Sequence, residues 1–124
     1  MEWKFIVHAE DGYIEAVSRG VADSDGSLEM AKALGETMRA NHISKALIDH
    51  RNVDYIIANT AGFNNRPGIL PATAVPVKIK IAEIIRPEHS GHFKFLETIF
   101  DSLGYKLDAF HETEKAITWL LAEE

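Results

Sequence analysis

The stretch that decides the fold is Lys45–Phe63, "KALIDHRNVDYIIANTAGF". A short apolar run, "KALID", reads as a strand and ends in Asp49-His50-Arg51. The residues after it return to apolar positions at Val53, Ile56, Ile57, Ala61 and Phe63, a spacing that predicts a helix opening near Asp54. A strand passing into a helix is half of a β-α-β unit, and the rest of the chain is read outward from it.

Upstream, "EWKFIVHAEDGYIEAVSRGVAD" divides into two strand-like runs, Trp3–His8 and Tyr13–Val21. Asp11-Gly12 lies between them and supplies the positive φ of a tight hairpin. "DSDGSLEMAKALGETMRANHI" then changes period: Leu28, Ala31, Leu34 and Met38 recur at helical spacing, with Ser24, Asp25 and Ser27 as candidate N-caps.

Downstream, "NNRPGILPATAVP" carries prolines, a glycine and paired asparagines that forbid a long helix. "VKIKIAEII" is the strongest strand. Val77, Ile79 and Ile81 take one face and Lys78 and Lys80 the other, and the alternation slips at Ala82-Glu83, which predicts a bulge or a change in burial. "RPEHSGHFKFLETIFDSLG" reads as a helix from about Glu88, with His92, Phe95, Leu96, Ile99, Phe100 and Leu103 on its stripe and Gly104 as its stop. "YKLDAFH" is a further strand. "ETEKAITWLLAEE" closes the chain as a helix with Ala116, Ile117, Leu120 and Leu121 on its buried side and Thr113 as its cap.

The order is β-β-α-β-α-β-α-β-α. Right-handed crossovers make this an α/β fold with a mixed, mostly parallel five-stranded sheet, the first strand antiparallel. With strands laid down in chain order, the helices fall mainly on one face. Lys78 and Lys80 agree, because a strand covered on both faces should be apolar on both.

The bulk properties narrow the function. A chain of 124 residues, 46% apolar and 26% charged, is the size of one domain, spanning residues 1–124. It has no cysteine, which excludes disulfides and thiolate sites. A net charge of −6 without a Lys/Arg block argues against nucleic acid, which needs clustered cations. No apolar run reaches the length of a membrane span, and "MEWKFIVH" lacks the pattern of a signal peptide, so a cytoplasmic location is expected.

The hairpin, "KALID", "KIKIAEII", "LDAFHE" and the final "TEKAITWLL", with Ala116 and Trp119-Leu120 at the close, resemble the SpoIIAA-like proteins of the STAS group, which includes anti-sigma factor antagonists. The resemblance spans essentially the whole chain and rests on packing residues. It implies a non-enzymatic module that binds protein partners or, in a CRAL-TRIO-like capacity, apolar ligands. Anti-sigma antagonists carry a phosphoacceptor serine in the turn after the strand matching "KALID". Here that region reads "VDYIIANTAG", with no serine and with Thr60 offset, so the phospho-switch is not carried over.

Parallel-sheet ligands sit at strand carboxyl ends. Four such ends are polar: Asp23-Ser24, Asp49-His50-Arg51, Arg86-Glu88-His89 and His111-Glu112. They form either a shared His/Arg rim or the solvated exits that loops ordinarily make. Asp49 and His50 are adjacent on a strand and point to opposite faces, so they do not readily pair, and a working dyad needs a partner from another loop, such as His89 or His111. Asp49 itself can cap the following turn. His89 and His92, three apart, could share a helix face, yet zinc needs further ligands and His92 lies on the apolar stripe.

The candidate binding residues are therefore Asp49, His50, Arg51, Tyr55, Thr60, Phe63, Arg86, His89 and His92. No catalytic set, metal or cofactor is assigned. Three readings stand: a regulatory module with a protein partner, a homodimer being one form of it; a carrier of a small apolar ligand under segment 54–76; and an enzyme using the rim. Met38, Trp3, Phe93, Phe95 and Phe100 line the carrier's cavity in the second reading and pack the core in the others.

Overall fold

The computed structural model describes residues 2–22, 24–56, 79–89 and 106–122, with the backbone alone at 22, 24, 25, 27, 28, 55 and 56. Strand β1 (Glu2–His8) and β2 (Tyr13–Ala22) form the expected hairpin, paired antiparallel from Glu2↔Arg19 to His8↔Tyr13. Gly12, at φ 79°, turns the chain and donates its N–H to the His8 carbonyl at 2.8 Å. Helix α1 (Ser24–Asn41) follows, then β3 (Lys45–Ile56), β4 (Lys80–Ile84), a single 3-10 turn (Pro87–His89), β5 (Lys106–Phe110) and α2 (Thr113–Leu121). The five strands lie side by side in chain order, β1-β2-β3-β4-β5, and every pair after the first is parallel. No helix among the described residues is long and apolar enough to cross a membrane.

Helix α1 stops on His42, which adopts the left-handed conformation at φ 53°. The His42 N–H bonds the Arg39 carbonyl at 3.2 Å and the Ile43 N–H bonds that of Met38 at 3.0 Å, a Schellman closure made without the usual glycine. Ile43 and Met38 are both buried in the core, so the closure aims the chain directly into β3.

Each face of the sheet has its own core. Ile14, Ala16, Ala46, Ile48, Ile81 and Leu107 meet Met30, Ala31, Leu34 and Met38 of α1. Tyr13, Leu47, Ala82 and Ile84 meet Ala116 and Leu120 of α2, with Phe110 and Trp119 beside them. Fully burying each Ile, Leu or Met side chain contributes about 1.5–3 kcal/mol, so both cores are substantial.

Several expectations change. The described helices do not share a face: α1 and α2 take opposite ones. The handedness rule binds α1, which links two parallel strands. It does not bind α2, which follows the last strand and makes no crossover. Lys80 is buried beneath α2 rather than facing water. The slip at Ala82-Glu83 is not a bulge, since β4 keeps an unbroken register with both neighbours; Glu83 is simply buried. Thr113 is the first helical residue, and the N-cap position belongs to Glu112, which makes no side-chain cap bond.

The largest revision concerns the opening stretch. β3 continues to Ile56, so no helix opens at Asp54, and Asp49-His50-Arg51 lies inside the strand rather than at its end. The register with β2 shows why the pattern misled. Between the pairs Val17↔Asp49 and Val21↔Tyr55, β3 carries two more residues than β2, in two separate irregularities. Gly20, at φ 90°, sits at the second. Each extra residue shifts the period-two alternation, and two shifts within seven residues imitate a helical spacing. The remainder of the expected helix, "NNRPGILPATAVP" and most of the helix from Glu88, including Phe93, Phe95 and Phe100, lie outside the described residues. Met38 is packed in the α1 core.

Candidate functional site

The polar residues of β3 divide between the two faces of the sheet, as strand geometry requires. On the α2 side, Asp49 is gripped by Arg51, two residues along. Asp49 Oδ1 accepts from the Arg51 backbone N–H and from Nε, both at 3.0 Å, and Oδ2 accepts from Nη2 at 2.9 Å. Burial alone would raise the Asp49 carboxyl, but the Arg51 side-chain and backbone hydrogen bonds and its charge outweigh that, so the group is held below the usual carboxylate value. The same hydrogen bond raises the Arg51 guanidinium. The Oδ1 bond to the N–H two residues on is the one an Asx cap would make, but it is formed inside β3, where no turn follows.

Arg86, just past β4, donates from Nε to the Arg51 carbonyl at 2.7 Å, and its Nη1 lies 3.9 Å from Glu88 Oε1. His111 Nδ1 lies 3.0 Å from the Ile85 carbonyl, tying the exit of β5 to that of β4. Asp49, Arg51 and Arg86 are therefore linked into one charged rim, with Glu88 and His111 beside it.

His50 lies on the α1 side. Its Nδ1 is 2.6 Å from Ser18 Oγ on β2, and its Nε2 is 3.7 Å from Glu83 Oε1 on β4. Ser18, His50 and Glu83 are 0, 4 and 2% exposed, one from each of three adjacent strands. The Ser18 hydroxyl also reaches the Asp49 carbonyl at 3.3 Å. When its proton points there, the serine oxygen accepts from His50 Nδ1–H. The 3.7 Å approach to Glu83 is an ion-pair distance, too long for a hydrogen bond. Glu83 Oε2 has no hydrogen-bond partner among the described residues.

A serine, an imidazole and a carboxylate in line are the components of a nucleophilic relay. Here the serine is sealed inside the sheet, and none of the cavities found among the described residues is lined by Ser18, His50 or Glu83. As arranged, the row bonds β2 to β3 and sets Glu83 of β4 beside the imidazole.

Among the described residues His50 thus meets Ser18 and Glu83, and neither His89 nor His111. Ser18 and Glu83 escaped the sequence reading, although a signal was present. Ser18 continues the apolar phase of Ile14 and Ala16, Glu83 that of Ile79 and Ile81, and His50 that of Ala46 and Ile48. A polar residue in the buried phase of each of three neighbouring strands is the mark of a buried polar row. Of the remaining candidates, His89 closes the 3-10 turn, its N–H bonding the Arg86 carbonyl at 3.0 Å, and its Nδ1 has no partner among the described residues. Tyr55 lies near the end of β3, its side chain not described. Thr60, Phe63 and His92 lie outside the described residues. No group of three or more His, Asp or Glu fit to hold a metal occurs among the described residues.

No protein-family model matches the sequence, and no curated protein matches it in sequence. Solved structures do share the fold. A protein of the DUF3478 family with a SpoIIAA-like fold, from Shewanella loihica PV-4, superposes with a TM-score of 0.59 at 16% identity, over 96% of this chain and 92% of its own. The anti-sigma factor antagonist SpoIIAA in its unphosphorylated form gives a TM-score of 0.53 at 14% identity, over 95% and 96% of the two chains. An anti-sigma factor antagonist from Mycobacterium paratuberculosis gives 0.61 at 16% identity, over 96% and 94%. The chain therefore has the SpoIIAA-like, STAS-type α/β fold.

Proposed function

We propose that the chain is a single-domain, non-enzymatic regulatory module of the cytoplasm that binds a protein partner through the charged rim of Arg51, Arg86 and Glu88. The observation that supports it most is the fold shared, over nearly the whole chain, with two anti-sigma factor antagonists. Fold alone is an analogy. The rim adds a physical reason. Asp49 fixes the Arg51 guanidinium from one side and the Arg51 carbonyl fixes Arg86, so two exposed cations are presented in set positions. Pre-positioned guanidiniums lose little freedom when a carboxylate partner engages them.

The module works without a serine switch, because no serine follows β3 before Gly62. The test is capture of partners from native extract by the tagged full chain. A partner retained by the wild type and released by Arg86→Ala supports the reading; an unchanged set of captured proteins contradicts it. Mass spectrometry of the gently purified chain examines the carrier alternative, which predicts a co-purifying lipid.

A further inference from the structure

We propose that the outer edge of β1 pairs antiparallel with the β1 edge of a second copy of this chain, about a two-fold axis at Phe5, joining two sheets into one of ten strands. β1 ends the strand order, so nothing among the described residues pairs with its outer side. It is seven residues long, has no proline, and keeps an uninterrupted register with β2. Ile6 and Val7, each 41% exposed, are the large exposed hydrophobics found among the described residues, and both are on this strand. A long, straight edge with apolar side chains on both faces is a template for another strand.

The strand's own sequence argues for a second copy as the occupant. Pairing all seven residues of β1 with their equivalents is centred on Phe5, and it sets Glu2 beside His8, Trp3 beside Val7 and Lys4 beside Ile6 of the other copy. Trp3, Phe5 and Val7 occupy the α1 face, where Trp3 and Phe5 already pack against the core. The pairing makes that apolar row continuous through the axis and covers Val7 with indole. A slip of one residue would set this row against the polar one instead.

On the other face the charges alternate. Within one copy Arg19 binds Glu2, and His8 Nε2 lies 2.9 Å from Glu15 Oε1. Across the new junction the row reads Arg19, Glu2, then His8 and Glu15 of the second copy, so the Glu2 carboxylate faces an imidazole and not another carboxylate. Lys4, the one cation in the middle of the edge, meets Ile6 rather than another lysine and can lay its methylene stem over it.

The test uses the full chain. Analytical ultracentrifugation over a concentration series should show a dimer. Val7→Lys, checked for folding by circular dichroism, should raise the dissociation constant by about tenfold or more. An equimolar mixture of Lys4→Cys and Ile6→Cys chains should oxidise to a disulfide-linked dimer, because Cα atoms of an antiparallel pair lie about 4.5–5.5 Å apart, within disulfide reach. Neither variant alone should do so. The wild type has no cysteine to interfere. A wild-type monomer throughout, a dimer indifferent to Val7→Lys, or a mixture that cross-links no better than each variant alone overturns the proposal. These outcomes concern β1 and leave the rim reading to its own test.

Discussion

The Lys80 ammonium lies 4.5 Å from the centre of the Trp119 ring and donates to the Trp119 carbonyl at 2.5 Å and the Ala122 carbonyl at 3.2 Å. Those carbonyls stand at the C-terminal end of α2, where helix oxygens lack intrahelical partners and a cation is favoured. A lysine that reads as a solvent-facing strand residue is thus the device that seats α2. Lys80→Ala should lose these bonds and leave a cavity, costing about 2–4 kcal/mol. Urea denaturation checks the magnitude, and hydrogen exchange should speed selectively at the end of α2. A change below about 0.5 kcal/mol would show that Lys80 is incidental.

The Asp49–Arg51 fork predicts a pH dependence. The folded carboxyl is lowered, so its contribution is present above the unfolded value of about 3.9 and is lost as pH falls through the folded value. Arg51 is nearly half exposed, and water screens the pair, which limits the contribution to about 1 kcal/mol. Asp49→Asn should therefore be less stable than the wild type near neutrality, with the gap closing below pH 4. A gap that persists unchanged to strong acid would mean that packing, not charge, is lost.

The Ser18–His50 contact spans two strands and is buried on both sides. Ser18→Ala removes one bond to a buried imidazole and should cost about 1–3 kcal/mol. A double-mutant cycle with His50→Leu isolates the pair and should give a coupling of about 0.5–3 kcal/mol. Additive losses would mean that the two side chains act separately.

At the end of α1, His42 holds a left-handed conformation that glycine adopts without strain. His42→Gly should raise the thermal midpoint, the gain being about 1 kcal/mol or less because glycine also loosens the unfolded chain. A lower midpoint would show that the imidazole makes contacts that outweigh its strain.

The legibility of these features follows from their range. The hairpin is local: an alternating pattern broken by Asp11-Gly12 declares itself, and the structure places it within a residue at either end. The sheet order follows from short right-handed crossovers. The length of β3 was hidden because its two irregularities are defined only against β2. The burial of Lys80 was hidden for a similar reason, since its partners lie about forty residues downstream on a helix no crossover rule could place. At the site, the Asp49–Arg51–Arg86 rim grew from residues that sequence had marked. The row of Ser18, His50 and Glu83 needed three strands in register. That His50 and Asp49 part company was readable from strand geometry alone.

The central claim, that the rim is a protein-binding surface, meets its most direct test in quantitative affinity capture with wild-type, Arg51→Ala and Arg86→Ala chains of matched stability. The account predicts a partner held by the wild type and depleted severalfold with either variant. A partner retained equally by all three chains would contradict it.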